Sequence, residues 1–274
     1  MNKKLGTLLL QVFMIALGLV VMFPLYFVII NSVKSLQEVT VNMLALPEKF
    51  HWENFSEAIK RMNFIVSMKN TIFITAFSLI GVLLFSSMTA YQVVRKKCLT
   101  SKLIFVGLLL SMAIPFQVLM VPIVIVANNL KLVNSQIGLI IMYWGFLLPL
   151  GIFLYQGFIK SIPLEIEEAA YTDGCNQYQV FFRIVFPIMK PMTVTVAVLN
   201  LLGVYNDFTL PLIMLSDKNK KTIPLSLSNF FGSTINEWQL IMSAILITVL
   251  PMLIIYIILQ KQIMSGYTEG AIKG

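Results

Sequence analysis

Charge is missing from this chain in long blocks. Stretches free of Asp, Glu, Lys and Arg recur along it, and about 20 such residues wound as a helix cross roughly 30 Å of hydrocarbon. Six spans are expected, at residues 9–32, 70–94, 104–127, 137–159, 191–215 and 238–260; the fifth is apolar except for Asp207. Lipid offers a backbone no hydrogen-bond partners, and the runs are far longer than barrel strands, so each must be a helix. The expected fold class is all-α, a single transmembrane domain over residues 1–274. Composition agrees: the chain is 58% hydrophobic and 12% charged, with a mean hydropathy of +0.87, whereas soluble domains carry about 25% charged residues.

Orientation follows from the cations of short loops, which stay on the cytoplasmic side. The connector holding Arg95, Lys96, Lys97 and Lys102 is therefore expected inside, and an even number of spans puts both termini there too. The N-terminal apolar run is longer than the core of a secretory signal and is not followed by a small-residue cleavage pattern, so it reads as a retained first span. Two outer connectors, residues 34–69 and 216–237, exceed the roughly 2–8 residues that join helices in bundles, which makes them candidate docking surfaces. The net charge of +8 does not point to nucleic acid: the cations sit at span ends, where they meet anionic headgroups, and form no basic stripe with interleaved aromatics. Cys98 and Cys175 both fall on the reducing side, so no disulfide is expected. His51 is the only histidine, which leaves no histidine-based metal or catalytic centre to build.

Proline lies in or at the end of nearly every span, at Pro24, Pro115, Pro122, Pro149, Pro211 and Pro251. Each removes a backbone hydrogen bond and bends the rod, as a transporter with alternating openings would use. Asp207 stands out because a carboxylate at the bilayer centre costs about 2.5–3.5 kcal/mol. Counting helical rise from Pro191 sets it in the outer third of its span. Either Tyr205, Asn206 and Asp207 form a polar patch on a solute path, or Asp207 caps the outer end of a short helix.

The inner loop over residues 160–190 is the most informative segment. Pro163 opens it, and Glu165, Glu167 and Glu168 follow where carboxylates complement a helix N-terminus. Ala169 and Ala170 permit close approach, Gly174 provides a turn, and Asp173 or Asn176 caps what comes next. Tyr178, Phe181, Phe182 and Val185 then fall on one helical face, with Pro187 expected to end the helix. The loop reads as two short helices bent at Gly174, the second carrying an apolar face that needs a surface to dock on.

Spacing adds a family resemblance. Glu168-Ala169-Ala170, three residues, Gly174, nine residues, Ile184, one residue and Phe186-Pro187 resemble the EAA signature of ABC importer permeases. Phe186 stands where the signature commonly has leucine, and Cys175 where alanine is common. The segments 114–140, 161–174, 204–215 and 266–274 are similar to the smaller permease of carbohydrate-uptake ABC importers. The resemblance implies a permease fold in a bacterial plasma membrane and a sugar substrate. It also implies that the inner loop is a coupling helix seated in a cytoplasmic ATPase dimer. Glu167, Glu168, Ala169, Ala170, Asp173, Gly174, Ile184 and Pro187 would then be the coupling positions. The tail would lie against the ATPase, a second homologous permease would complete a heterodimer, and an extracellular solute-binding protein would deliver the sugar.

No GxxxxGK[ST] phosphate loop is present in the sequence, so this chain is not expected to be an enzyme; it binds no cofactor of its own, and ATP with Mg belongs to the partner. The alternative is an ion-coupled secondary transporter of a small polar solute, which would show ionisable residues near the midplane or an internal repeat.

Overall fold

The structure, a computed structural model, describes residues 3–96, 98–231 and 237–271. Helices account for all regular structure among the described residues: α1 (Lys3–Ser32), α2 (Leu36–Val41), α3 (Glu53–Arg61), α4 (Phe64–Arg95), α5 (Leu99–Met112), α6 (Phe116–Asn129), α7 (Gln136–Ile159), α8 (Leu164–Thr172), α9 (Gln177–Val180), α10 (Phe186–Ile188), α11 (Lys190–Asn206), α12 (Thr209–Met214), α13 (Ile223–Ser226) and α14 (Trp238–Ala271). Among the described residues, four helices are long and apolar enough to cross a membrane singly, within α1, α4, α7 and α14. Two bent pairs pass the same test together, α5 with α6 and the segment 177–188 with α11.

The bends have local causes. The third expected span, 104–127, is two helices meeting at 111°. The chain leaves α5 at Ala113, and Pro115, held extended at φ −60° and ψ 135°, starts α6; proline has no N–H to continue the first helix and pushes its predecessor out of helical geometry. The fifth span ends early, with α11 stopping at Asn206 and the short α12 beginning at Thr209. Pro187 does not end its helix, contrary to expectation. A π-turn over Phe181–Val185 precedes it, in which the Phe186 N–H bonds the Phe181 carbonyl five residues back, and this widened turn takes the proline into the helix. The break comes instead at Met189, where the axis turns 76°.

The chain divides into two compact units, Met1–Ile65 with Ser226–Leu253 and Val66–Leu225 with Ile254–Gly274. In the first, α1 is exposed along almost its whole length, from Thr7 to Tyr26. Its C-terminal end is held firmly: Asn54 Nδ2 donates to the carbonyls of Ser32 and Lys34 at 3.0 and 2.8 Å, and Ser243 Oγ donates to the Ser32 carbonyl at 2.8 Å. Arg61 pairs with Glu237 and lies over the ring of Phe230. Ser35 and Glu38 form a reciprocal cap on α2. His51 sits between Glu53, at 2.6 Å, and Glu38, at 4.0 Å.

In the second unit α4 buries Ser67, Thr71, Thr75, Ser78, Gly81, Val82, Ser86 and Ala90 on one face. Small side chains at three- and four-residue spacing let helices approach closely in lipid. A Cβ on Gly81 would overlap the Trp144 indole, and one on Gly151 would lie 2.7 Å from Ser86 Oγ, so glycines on each helix receive a side chain of the other.

Two outcomes follow. A Cβ at Gly138 would collide with the Leu132 carbonyl, a backbone atom that cannot swing aside, whereas one at Gly145 meets nothing. Gly138→Ala is expected to destabilise by about 1–3 kcal/mol, and Gly145→Ala to be neutral or to stabilise by up to about 1 kcal/mol; thermal unfolding in detergent measures both. The N–H groups of Ser35 and then Glu48 hold the Glu38 carboxyl down at about 2 against an ordinary 4.5. A depressed folded value means that its anchoring is complete above pH 4.5 and is lost as pH falls towards 2; hydrogen exchange at Ser35 and Glu48 is expected to accelerate across that window.

Candidate functional site

The inner loop folds as an elbow pinned at its base. Pro163 precedes α8, and Glu165 and Glu167 occupy its first turn. Glu167 is 2% exposed. Its Oε1 accepts from Arg95 Nε at 2.8 Å and Nη2 at 2.6 Å, and its Oε2 accepts from the Tyr91 hydroxyl at 2.7 Å. Arg95 also donates to the Ile162 carbonyl at 3.2 Å. Tyr91 and Arg95 stand one helical turn apart at the end of α4, so a single helix face grips the start of α8.

The bend is a complete left-handed cap. Gly174 takes φ +83°; its N–H bonds the Tyr171 carbonyl and the Cys175 N–H bonds the Ala170 carbonyl, both at 3.0 Å, the paired pattern of a Schellman motif. Of the two expected caps for the second arm, Asn176 takes the role, in a reciprocal box with Gln179.

Burial sorts the expected coupling residues into two faces. Glu168, Ala169, Asp173, Gly174 and Pro187 are exposed, with Leu164, Ile166 and Tyr171 beside them; Glu167 and Ala170 face the protein's own core, and Ile184 is half-buried. The aromatic stripe is also divided. Phe181 and Val185 are buried, but Tyr178 is 70% and Phe182 44% exposed. The π-turn shifts the inward row to Val180, Val185 and Met189, which pack with Tyr91, Ile159, Ile162 and Ala170. The Tyr91 ring lies 5.3 Å from that of Phe181, so the residue that holds the first arm also supports the second.

The three outer candidates are not brought together. Asp207 caps α11: its Oδ1 accepts from the N–H groups of Thr209 and Leu210 at 2.8 and 3.4 Å, and its Oδ2 from the Tyr143 hydroxyl at 2.9 Å. It also lines an open cavity of about 220 Å³ with Phe116, Tyr143, Phe146, Leu147, Gly203, Thr209 and Leu210. Tyr205 is buried and is not among that cavity's lining residues, and Asn206 donates to the Leu202 carbonyl of its own helix. Among the described residues no three His, Cys, Asp or Glu side chains converge as metal ligands. The tail from Gly266 has no described side chains, and residues 272–274 lie outside the described residues altogether.

Sequence reasoning missed Tyr91, Arg95 and Tyr143. Arg95 counted only as a topogenic charge. The available signal was a tyrosine and an arginine at i and i+4 ending a span, paired by charge with an acidic loop.

Comparison with known proteins supplies the context. Residues 82–267 match the family "Binding-protein-dependent transport system inner membrane component". The chain is 35% identical over 259 residues, 94% of both chains, to a probable starch degradation products transport system permease protein of Thermoanaerobacterium thermosulfurigenes. It is 34% identical to a melibiose/raffinose/stachyose import permease protein of Bacillus subtilis, over 92% of this chain and 91% of that one. The fold is shared with a bacterial ABC transporter involved in the import of the acidic polysaccharide alginate, at a TM-score of 0.81 and 20% identity, over 95% of this chain and 98% of the other.

The clamp makes an asymmetric prediction. Arg95→Met leaves the buried Glu167 carboxylate without its cation and is expected to cost about 3–5 kcal/mol. Tyr91→Phe removes one hydrogen bond to a charged group, about 1.5–3 kcal/mol. Thermal unfolding of the purified variants gives the order, and equal, negligible losses would show that the clamp does not hold α8.

Proposed function

Because the chain belongs to the binding-protein-dependent transport system inner membrane component family, as a non-catalytic permease of ABC sugar import, we propose that its α8–α9 elbow couples transport to a separate ATPase. The setting is the bacterial inner membrane, which the chain spans several times, and the system includes an ATPase and a solute-binding protein.

The observation that carries the coupling reading is the division of α8 into two faces. Glu167 and Ala170 fasten the helix to the permease, while Glu168, Ala169, Tyr171 and Asp173 face away from it. Such a helix can receive a force on one side and pass it to α4 on the other. Coupling requires that the ATPase hold the outward face differently in its open and closed states. Ile184 is half-buried in the second arm and Pro187 is exposed there, where they would set that arm's angle to the membrane. We assign the exposed flank of α1 to a second, homologous permease, since an unpaired helix of this length has few contacts of its own; the outer connectors 34–69 and 216–237 would receive the solute-binding protein. Tyr205, Asn206 and Asp207 stand as the proposed outer solute path, with Asp207 the member that lines a cavity.

Gly174→Leu tests the elbow, because a branched side chain is strained at φ +83°. The variant is expected to insert and to assemble with its partners, yet to separate ATP hydrolysis from sugar uptake in proteoliposomes. Uptake coupled to ATP at the wild-type ratio would sink the coupling role. Solute accumulation by the chain alone, with no ATPase present, would sink the wider reading.

A further inference from the structure

The cavity between α6, α7 and the α11–α12 junction lies apart from the elbow, beside the core cluster to which Tyr143 and Leu210 belong. An ionised carboxylate offers about four acceptor positions. Asp207 uses three, for the Thr209 and Leu210 N–H groups and the Tyr143 hydroxyl, which leaves one on Oδ2 beside the lone pairs of the Tyr143 oxygen. Asp207 and the Tyr143 oxygen offer acceptors to the cavity, the Thr209 hydroxyl is its other polar side chain, and no Lys or Arg is among its lining residues. Phe116 and Phe146 meet edge to face there, with ring centres 5.4 Å apart. Gly203 opens one wall: a Cβ built on it touches nothing within 4 Å.

We propose that this cavity is a subsite for one neutral pyranose ring of the transported sugar, and that Asp207 selects against acidic sugars there. The proposal rests on the reading of the chain as a sugar-import permease. A sugar ring has apolar C–H faces to lay against phenyl rings and hydroxyls to donate to the Asp207–Tyr143 acceptors, the combination of apolar walls with a few placed polar groups that marks small-molecule sites. At about 220 Å³ the cavity is smaller than the roughly 300–1,000 Å³ of drug-sized sites, so it takes one ring and leaves the rest of an oligosaccharide outside. A uronate would bring a second carboxylate towards Asp207 with no lining cation to offset it. Like charges so placed repel, and repulsion of the wrong ligand is a source of selectivity in its own right.

The test uses the complete transporter in proteoliposomes, with maltotriose, raffinose and melibiose as neutral probes and trigalacturonate as the acidic one. In a Cys98→Ser, Cys175→Ser background, which removes both free thiols, Gly203→Cys places a thiol on the open wall. A transported neutral probe is expected to slow its labelling by a methanethiosulfonate reagent about tenfold, and trigalacturonate to leave the rate unchanged. Tyr143→Phe is expected to raise KM for the neutral probe about tenfold with kcat little altered. Asp207→Asn is expected to narrow the preference for neutral over acidic probes. Import of a neutral probe with labelling at Gly203→Cys unprotected overturns the subsite while leaving the sugar-permease reading intact. Failure of the wild-type assembly to import any neutral probe overturns both.

Discussion

Glu167 is almost wholly withdrawn from solvent at the start of α8, and three donor groups converge on its carboxylate. Removing such an ion from water costs several kcal/mol after relaxation. At an effective dielectric near 20 the attraction of a close partner is worth about 4 kcal/mol, the same order. The two nearly cancel, so the clamp adds little net stability. Its effect is positional. The Arg95 side chain remains 18% exposed against 3% for Glu167, so the cation keeps part of its hydration and the carboxylate is the member that cannot do without its partner.

That positional effect extends from the elbow into the membrane. Tyr91 donates to Glu167 and packs its ring on Phe181, so both arms bear on a single residue of α4. The Schellman cap at Gly174 fixes the angle between the arms through two backbone hydrogen bonds. At about 1.5 Å per residue the 32 residues of α4 run roughly 48 Å, more than the roughly 30 Å of a hydrocarbon core. Interlocking of α4 with α7, through Gly81 against Trp144 and Gly151 against Ser86, means that α4 cannot slide alone. On the coupling reading proposed above, a push on the elbow would move a packed pair.

How much of this was legible in the sequence depended on whether the cause was local. Helix existence followed from uncharged length, because lipid forces the choice. The bend at Gly174 and the Asn176 cap followed from residues that act on their own backbone. The two prolines show the limit. Pro115 breaks its span and Pro187 is absorbed into its helix, and the difference lies in a π-turn that a period of 3.6 residues cannot register. Around the same turn the aromatic stripe divides, with Phe181 and Val185 inward and Tyr178 and Phe182 exposed. Glu167 and Ala170 stand within one short motif beside Glu168 and Ala169 and share their residue types; only the position of α4 decides which pair faces inward. The spacing of the motif therefore identified the elbow but not the side by which it is attached.

The two best-defined carboxylates of the second unit also bear on how transport is driven. A carrier that relays protons through a carboxylate needs that acid free to gain and lose its proton as the protein changes state. Glu167 is committed to Arg95 and Tyr91, and three of the acceptor positions on Asp207 are committed to two backbone N–H groups and Tyr143. Removing either acceptor would leave donors unpaired at a junction that sets helix direction, the start of α8 in one case and the break between α11 and α12 in the other. Both acids are thus structural acceptors at hinges of the chain. A separate motor acting through the elbow, as proposed above, would leave both sets of hydrogen bonds in place.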